Sequence, residues 1–175
     1  MKSANVLVFE LPSAALVAKI ADFGSVKATL IKHLEEQEPG NVTEMTDRQN
    51  LTQGVGTPIY MAPEVLAGEH YHQSADIFSF GVIMWEVAMQ KCPDLLENKP
   101  KYNRGGPFMG NLLRALEAGH RLEFTMPCDA TPWYLDLAKA CWRSDRYGRP
   151  TAREVLMIME RSSRMVKVDN NETLK

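Results

Sequence analysis

The stretch Ser74–Met89, SADIFSFGVIMWEVAM, decides the fold, because its apolar residues leave almost no polar stripe. A helix that is apolar on nearly every face has to be buried on nearly every face. Ser74 is a residue type that caps helices, and Asp76 follows in the first turn, where the helix dipole favours a negative charge. The sequence therefore predicts a central helix around which the rest of the domain packs.

Shorter periodic segments lie on both sides of this helix. Three amphipathic helical patterns follow it, at 108–118, 132–142 and 151–161. Two short apolar runs precede it, at 6–9 and 16–21, and predict a β-hairpin. A hairpin alone forms no core, so we expect the helices to bury its apolar face. The predicted fold class is mainly α with a small β-hairpin.

Composition limits the possible functions. The chain has 175 residues, 45% of them hydrophobic and 24% charged, which suits one domain, 1–165, with a polar tail at 166–175. Its net charge of −2 argues against a strongly basic nucleic-acid binder. No apolar run approaches the ~20 residues of a membrane-spanning helix. Three widely spaced cysteines argue against a disulfide framework and favour a reducing, cytoplasmic location.

Five short motifs follow one another along the chain. They are Lys2-Ser3-Ala4-Asn5, Asp22-Phe23-Gly24, the nonapeptide 56–64 (GTPIYMAPE), the hexapeptide 76–81 (DIFSFG) and Gly148-Arg149-Pro150. Each has an ordinary explanation: Asp, Asn and Gly are common in turns, and a lysine near a terminus is usually solvated. Together and in this order they resemble the second half of the protein kinase catalytic domain, the helical C-terminal lobe of eukaryotic-type protein kinases.

The resemblance implies a phosphoryl-transfer site with ATP and Mg²⁺ as cofactors. Asp22 matches the aspartate, and Asn5 the catalytic-loop asparagine, that bind the magnesium ions. Lys2 matches the lysine that neutralises charge on the transferred phosphoryl group. Phe23 is expected to pack against the core and hold Asp22 in place, and Gly24 to give the backbone freedom to turn.

The resemblance also bears on the substrate. Thr57 matches the hydroxyl residue beside the substrate-binding loop. The segment 56–64 is similar to that of serine/threonine kinases, since it lacks the basic residue and tryptophan usual in tyrosine kinases. A protein Ser or Thr hydroxyl is therefore the implied acceptor. Ala4 and the run 77–81 are most similar to the tyrosine-kinase-like group of serine/threonine kinases.

Other matches are structural or regulatory. Glu64 and Arg149 correspond to a buried ion pair that fixes the end of the activation segment, 22–64, against the helical lobe. Asp76 matches the aspartate that accepts backbone N–H groups of the catalytic loop, and a role at the helix dipole would hold at the same time. The phosphorylation candidates in the activation segment are Thr43, Thr46 and Thr52. Polar loops commonly contain threonine, so these three are also explained as ordinary solvated residues.

The chain departs from the family at its amino-terminal side. It contains no glycine-rich phosphate loop, no strand lysine with its helix glutamate, and no His-Arg-Asp motif. We therefore expect a fragment without the N-lobe and the catalytic-loop aspartate, which binds ATP weakly or not at all and is inactive alone. Its expected partner is the missing N-lobe or an upstream regulatory domain. The alternative is a truncated pseudokinase that acts as a protein-binding module.

The missing parts of the family fold carry a further expectation about the central helix. The family's first lower-lobe helix, which packs on this helix, is also absent from the sequence. Phe78, Val82 and Trp85 are therefore expected to have exposed apolar faces, which would cause aggregation or bind a partner.

Overall fold

The computed structural model describes residues 1–23, 58–103 and 105–172, apart from the side chains of residues 163 and 165–172. The first part holds a 3₁₀ turn, Ser3–Asn5, and an antiparallel hairpin of β1 (Val6–Glu10) and β2 (Leu16–Ile20). The remaining elements are a 3₁₀ turn at Pro58–Tyr60, α1 (Pro63–Leu66), α2 (Ser74–Met89), α3 (Phe108–Glu117), α4 (Pro132–Cys141), a 3₁₀ turn at Arg146–Gly148 and α5 (Ala152–Glu172). The described chain is mostly helical with one two-stranded hairpin, which confirms the predicted fold class.

The helix boundaries agree with the sequence patterns except at two places. Gln73, not Ser74, is the N-cap of α2, and no side chain caps this helix. The last helix, α5, continues to Glu172 and so includes residues that were predicted to form a polar tail. No glycine or proline stands between 152 and 172, so nothing in the sequence terminates the helix earlier.

The central helix α2 lies between two apolar clusters. On one side, Phe78, Val82 and Trp85 pack with residues of α3, of the turn at 58–60 and of the segment 91–107. On the other side, Ile77 and Met84 pack with α4 and with Val155 of α5. The two clusters together make α2 the core of the helical body, as its sequence predicted.

A close approach between α2 and α4 depends on Gly81. A Cβ atom at this position would stand 2.9 Å from Cβ of Cys141 and 3.0 Å from the carbonyl oxygen of Ala138. Both distances are shorter than ordinary van der Waals contact, so a side chain at this position would push the helices apart. Tyr134 of α4 also donates its hydroxyl to the carbonyl oxygen of Met84, at 3.1 Å.

The expectation that α2 exposes an apolar face was wrong. Phe78 is 1% exposed, and Val82 and Trp85 are buried as well. Their cover comes from segments outside the predicted helices: Ile59 and Tyr60 in the 3₁₀ turn at 58–60, and Leu95 and Leu96 in the polar segment 91–107. Trp142 at the end of α4 and Leu122 close the same cluster.

The expectation that the helices bury the hairpin was also wrong. Val8 is 62% and Leu16 is 70% exposed, and Leu7, Phe9 and Ile20 are exposed too. Val6, at the start of β1, packs against the helical core. The core residues of α2 are already covered by other segments of the helical body, so the hairpin contacts the body at its base.

Within the described ranges, no helix combines the length and the apolar character that crossing a membrane requires.

Candidate active site

The hairpin register brings the two predicted metal ligands together. Val6 pairs with Ile20, and the ladder continues one step further, where the backbone N–H of Ala21 donates to the carbonyl oxygen of Asn5 at 2.7 Å. Asp22 therefore follows directly beside Asn5. The amide Nδ2 of Asn5 donates to Oδ2 of Asp22 at 3.3 Å. Two residues separated by 17 positions thus form one polar pair at the open end of the hairpin.

The backbone at Asp22 turns sharply. Its φ angle is +62°, in the left-handed region that Asp and Asn tolerate better than most residues. This turn directs the chain out of β2. Gly24 itself lies outside the described residues.

Phe23 does not occupy the predicted place. Its side chain is 66% exposed, so it does not pack against the core to hold Asp22. The physical reason is the position of the hairpin, whose neighbouring apolar residues are also exposed because the helical core lies away from them. In the described part of the chain, the contact with Asn5 is the hydrogen bond that orients Asp22.

The donor set at this pair suits magnesium in the presence of phosphate. A carboxylate and an amide offer hard oxygen atoms, and Mg²⁺ usually takes one or two such protein ligands and completes its shell with phosphate oxygens and water. Within the described ranges, no group of three or more His, Cys, Asp or Glu side chains could hold a metal without such help. Asn5 and Asp22 therefore fit a shared magnesium–nucleotide site better than a closed metal centre.

Lys2 and Asn5 lie one turn apart on the 3₁₀ turn. The backbone N–H of Asn5 donates to the carbonyl oxygen of Lys2 at 3.0 Å, and Lys2 is partly buried. The turn thus connects the residue that matches the phosphate-neutralising lysine to the residue that matches a metal ligand.

A hydrogen-bond network fixes this turn to the helical body. Ser3 Oγ donates to Oε1 of Glu86 at 3.0 Å and lies 3.0 Å from the hydroxyl of Tyr60, which donates to Oε2 of Glu86 at 2.9 Å. Burial raises the pKa of Tyr60, and the hydrogen bond with Ser3 opposes this while Glu86 adds to it. Three parts of the chain, the 3₁₀ turn, the segment 58–60 and α2, meet at this network.

The sequence-based prediction missed this network. Glu86 interrupts the apolar run of α2 as its only charged residue after Asp76, and that interruption was an available signal. Nothing in the sequence marked Ser3 as its partner, because the two are 83 positions apart.

Glu64 and Arg149 form a buried ion pair. Nη1 of Arg149 lies 2.6 Å from Oε1 of Glu64, and Nη2 lies 2.9 Å from Oε2, which is the two-pronged geometry that suits a guanidinium and a carboxylate. Both residues are 6% exposed. Although burial would raise the pKa of Glu64, the hydrogen bonds and charge of Arg149 outweigh it and hold that pKa below its usual value.

Arg149 is the centre of a wider set of contacts. Its Nη1 donates to the carbonyl oxygen of Ser74 at 3.1 Å, and its Nε donates to that of Arg143 at 2.9 Å. Its guanidinium also lies over the ring of Phe78, 5.1 Å from the centroid. These contacts join α1, the start of α2 and the segment between α4 and α5.

Asp76 makes a different contact from the one that the resemblance implied. Its Oδ1 lies 3.5 Å from the N-terminal amine of Met1, and its side chain is 75% exposed. The contact is thus with the segment that carries Lys2 and Asn5, but through an amine. The role of Asp76 as an acceptor for backbone N–H groups stays a prediction.

Five predicted site residues lie outside the described ranges: Gly24, Thr57 and the phosphorylation candidates Thr43, Thr46 and Thr52. Their roles stay predictions from the sequence.

Asn5 and Asp22 meet at the end of the hairpin, and the helical body contains a buried Glu–Arg pair. These features are expected of one enzyme class, the protein kinases. The profile described as the protein kinase domain matches residues 1–158. The chain belongs to the protein kinase domain family.

Similar proteins carry kinase names. The chain is 36% identical over 156 residues to a putative serine/threonine-protein kinase/receptor of Acanthamoeba polyphaga mimivirus, covering 89% of this chain and 8% of that protein. It is 38% identical over 117 residues to the mitogen-activated protein kinase kinase kinase mom-4 of Caenorhabditis briggsae, covering 67% and 19%. A probable LIM domain-containing serine/threonine-protein kinase of Dictyostelium discoideum is 29% identical over 173 residues, covering 98% and 14%. The chain thus spans 19% or less of the length of these three proteins.

Proposed function

We propose that this chain is the C-terminal lobe of a protein serine/threonine kinase, which transfers the γ-phosphoryl group of ATP to a hydroxyl group of a protein substrate. The observation that carries the proposal is the contact between Asn5 and Asp22 at the open end of the hairpin. These two side chains offer the oxygen ligands that a magnesium–nucleotide complex needs, on a chain whose family is that of the protein kinases.

In the proposed phosphoryl transfer, three residues of this chain would have separate roles. Magnesium, when bound, neutralises charge on the nucleotide phosphates. Asp22 and Asn5 would hold it through a carboxylate oxygen and the amide oxygen. Lys2 would place a positive charge near the transferred group. The hydrogen bond from Ser3 to Glu86 holds the turn that carries Lys2 and Asn5 against the helical body. The positions of Lys2 and Asn5 relative to the body are therefore fixed before any ligand binds.

Sequence supports the choice of a hydroxyl acceptor. The nonapeptide 56–64 is similar to that of serine/threonine kinases, and two of the similar proteins described above carry that name. Ala4 and the run 77–81 support the tyrosine-kinase-like group as the nearest one.

We further propose that residues 1–175 alone neither bind ATP tightly nor transfer phosphate. The 175 residues contain no glycine-rich loop, no strand lysine and no His-Arg-Asp motif. The exposed apolar surface of the hairpin supports this proposal, since uncovered apolar surface of this kind offers a packing site to a further segment of a protein. The same surface favours the second candidate, a protein-binding module without chemistry of its own.

The cysteines support a cytoplasmic location. Cys92, Cys128 and Cys141 are all free thiols, and burial raises the pKa of Cys141 to about 12. A reducing compartment would keep the exposed Cys92 in this state. Rapid alkylation of the protein from intact cells, with mass spectrometry, checks this: a large fraction of Cys92 in mixed disulfides would contradict it.

Paramagnetic Mn²⁺ tests the metal site directly. In ¹⁵N-labelled 1–175 with millimolar ATP, which supplies the phosphate ligands even at weak affinity, we expect substoichiometric Mn²⁺ to broaden the amide resonances of Asn5 and Ala21 selectively. Asp22→Ala should abolish this broadening, because the carboxylate is the charged ligand. Asp136→Ala is the matched control, since it removes an exposed aspartate from the surface of α4. Equal broadening in wild type and Asp22→Ala would overturn the metal site.

Two further measurements test the predicted inactivity and separate the two candidates. Purified 1–175 should show no phosphate transfer, and turnover that disappears in Asp22→Ala would overturn its predicted inactivity. Sequencing the transcript upstream of the Met1 codon, in frame, tests the kinase assignment. Codons for His-Arg-Asp immediately before Met1 would support a complete kinase domain, and a stop codon there would support the binding module.

A further inference from the structure

Arg121 follows α3 and is held in place by uncharged acceptors. Its Nε donates to the carbonyl oxygen of Trp142 at 2.8 Å, and its Nη1 donates to the carbonyl oxygens of Leu116 at 2.9 Å and His120 at 2.6 Å. Among the residues that the structure describes, no carboxylate forms an ion pair with Arg121. The guanidinium is therefore fixed in position without a counter-charge.

The surroundings of Arg121 favour an added negative charge. Arg121 is partly buried, and its guanidinium carbon lies 5.8 Å from the ring centroid of Phe78, the ring that Arg149 also contacts. Arg149 has Glu64 as its counter-charge. Burial, and the nearby charge of Arg149, lower the pKa of Arg121. A cation that is partly removed from water and close to a like charge is stabilised by an anion beside it.

The remaining contact of Arg121 is with a serine hydroxyl. Nη2 of Arg121 lies 2.7 Å from Oγ of Ser144 and donates to it. Ser144 is exposed and lies in a bend between α4 and the 3₁₀ turn at Arg146–Gly148. The hydroxyl thus belongs to an exposed, non-helical residue and lies next to a fixed cation.

The two neighbours of Ser144 in the chain carry opposite charges. Oδ1 of Asp145 accepts the backbone N–H of Tyr147 at 3.0 Å, so this carboxylate caps the following 3₁₀ turn. Nη1 of Arg143 donates to the carbonyl oxygen of Gly148 at 3.1 Å. With Arg121, the charges nearest to the Ser144 hydroxyl are two positive and one negative, which favours an anion at this position.

We propose that Ser144 is a phosphorylation site and that Arg121 binds the phosphate. A separate protein kinase transfers the γ-phosphoryl group of ATP to Oγ of Ser144. The bond between the γ-phosphorus and the bridging oxygen of ADP breaks, a bond between Oγ and phosphorus forms, and the hydroxyl proton passes to the base of that enzyme. The proposal does not depend on the proposed kinase function of this chain.

The phosphate would strengthen the segment that supports the buried Glu64–Arg149 pair. Phosphoserine carries a charge of about −1.5 to −2 at neutral pH, and its oxygens accept hydrogen bonds from a guanidinium. The carbonyl oxygen of Arg143, next to Ser144, accepts from Nε of Arg149 at 2.9 Å. An ion pair between the phosphate and Arg121 would therefore hold this segment on the carboxyl end of α3.

Phosphoserine placed at position 144 of 1–175 by an expanded genetic code, and followed by ³¹P NMR, tests the binding of the phosphate. The second pKa of phosphoserine is about 6. We expect it to lie at least about 0.5 pH unit lower at position 144 than at position 13, since a nearby positive charge favours the dianion. Ser13 is the matched control, because it is exposed in the turn 11–15, which contains no basic residue. Phosphorylation at 144 should also raise the thermal midpoint by roughly 2–4 °C.

Two arginine variants identify the group that binds the phosphate. Arg121→Gln should remove most of the pKa difference, whereas Arg143→Gln should retain most of it. Thermal melting checks the fold of each variant, and if Arg121→Gln does not fold, the comparison of positions 144 and 13 still decides. Equal second pKa values at the two positions would overturn the proposal. So would a difference that survives Arg121→Gln and is lost in Arg143→Gln.

Mass spectrometry of the chain recovered from eukaryotic cells treated with phosphatase inhibitors tests whether Ser144 is modified. Cleavage by chymotrypsin after Trp142 and Tyr147 releases the peptide 143–147, in which Ser144 is the only serine or threonine. We expect a phosphorylated form of this peptide. Recovery of the peptide only in its unmodified form would overturn the proposed site, also where phosphate is found on the activation segment 22–64.

Discussion

The helical body and the amino-terminal hairpin of this chain differ in how far their apolar residues are covered. In the body, Leu112 and Ala115 of α3 are fully buried, and so is Cys141 of α4. In the hairpin, Val8 and Leu16 are largely exposed. The body therefore has a core of its own, whereas the hairpin is anchored at its base by Val6 and by the network of Ser3.

The residues proposed for chemistry lie in the less covered of these two regions. Asn5 and Asp22 flank the hairpin, while the body contributes the buried Glu64–Arg149 pair and the anchor Glu86. Ligand-binding parts of proteins are commonly of low local stability, and ligands or neighbouring segments complete them. The comparison predicts that substitutions in the body destabilise the chain and that most substitutions in the hairpin do not.

Removal of Arg149 should have the largest effect. Arg149→Ala leaves the Glu64 carboxylate buried without its partner, and breaking a buried pair in this way costs about 3–5 kcal/mol. Urea denaturation followed by circular dichroism measures the free energy of unfolding. The matched control is Arg146→Ala, which removes an arginine whose ion pair with Glu69 is partly exposed. Loss of this ion pair should lower the free energy of unfolding by less than about 1 kcal/mol, apart from any loss of packing. Equal losses in the two variants would contradict the buried pair as a main support of the body.

A pair of leucines compares the two regions directly. Leu96 is 3% exposed in the core, and Leu96→Ala should cost about 2–5 kcal/mol through lost apolar contacts and the cavity that remains. Leu16→Ala removes the same atoms from the hairpin and should change the free energy of unfolding by less than about 0.5 kcal/mol. The same denaturation experiment measures both. A large loss for Leu16→Ala would mean that the hairpin is covered in solution, for example by self-association.

The sequence predicted the hairpin and the four longer helices with good accuracy, because these depend on local periodicity. The strand register was not predicted; the structure pairs Val6 with Ile20, and this register places Asn5 beside Asp22. The predicted contact of Glu64 with Arg149 came from a resemblance between motifs. The structure brings these two residues together across 85 positions, a separation that no local pattern can span.

The sequence failed where cover depends on distant segments. Leu95 and Leu96 sit in a polar stretch without periodicity, so nothing marked them as the residues that cover Phe78. Asp94 accepts the backbone N–H of Leu96 at 2.9 Å and helps to hold that turn, which directs both leucines inward. Because these segments cover α2, its predicted exposed face does not exist, and exposed apolar side chains lie instead on the hairpin and on the outer face of α5.

The pH dependence of the free energy of unfolding should give the smallest effect. It also distinguishes most clearly between a Glu64 that is paired with Arg149 and one that is not. In the wild type, the pKa of Glu64 is held below its usual 4.5, so its contribution to stability is present above about pH 4.5 and is lost as the pH falls through the folded-state value. In Arg149→Ala the burial remains without the partner, so the pKa should lie above 4.5. In this variant, protonation of Glu64 as the pH falls towards 4.5 removes an unfavourable unpaired charge. In the wild type, protonation of Glu64 removes a favourable paired charge.

The difference in unfolding free energy between wild type and Arg149→Ala should therefore narrow as the pH falls from 7 towards 4, by at most about 1.4 kcal/mol per pH unit for one proton. Groups elsewhere in the chain titrate in both proteins and cancel in this difference. The difference between wild type and Arg146→Ala should change much less, because Arg149 dominates the charge that acts on Glu64 and Arg146 contributes the smallest part. A wild type and an Arg149→Ala variant whose stabilities fall in parallel would show that Glu64 finds another partner, or water, once the arginine is gone.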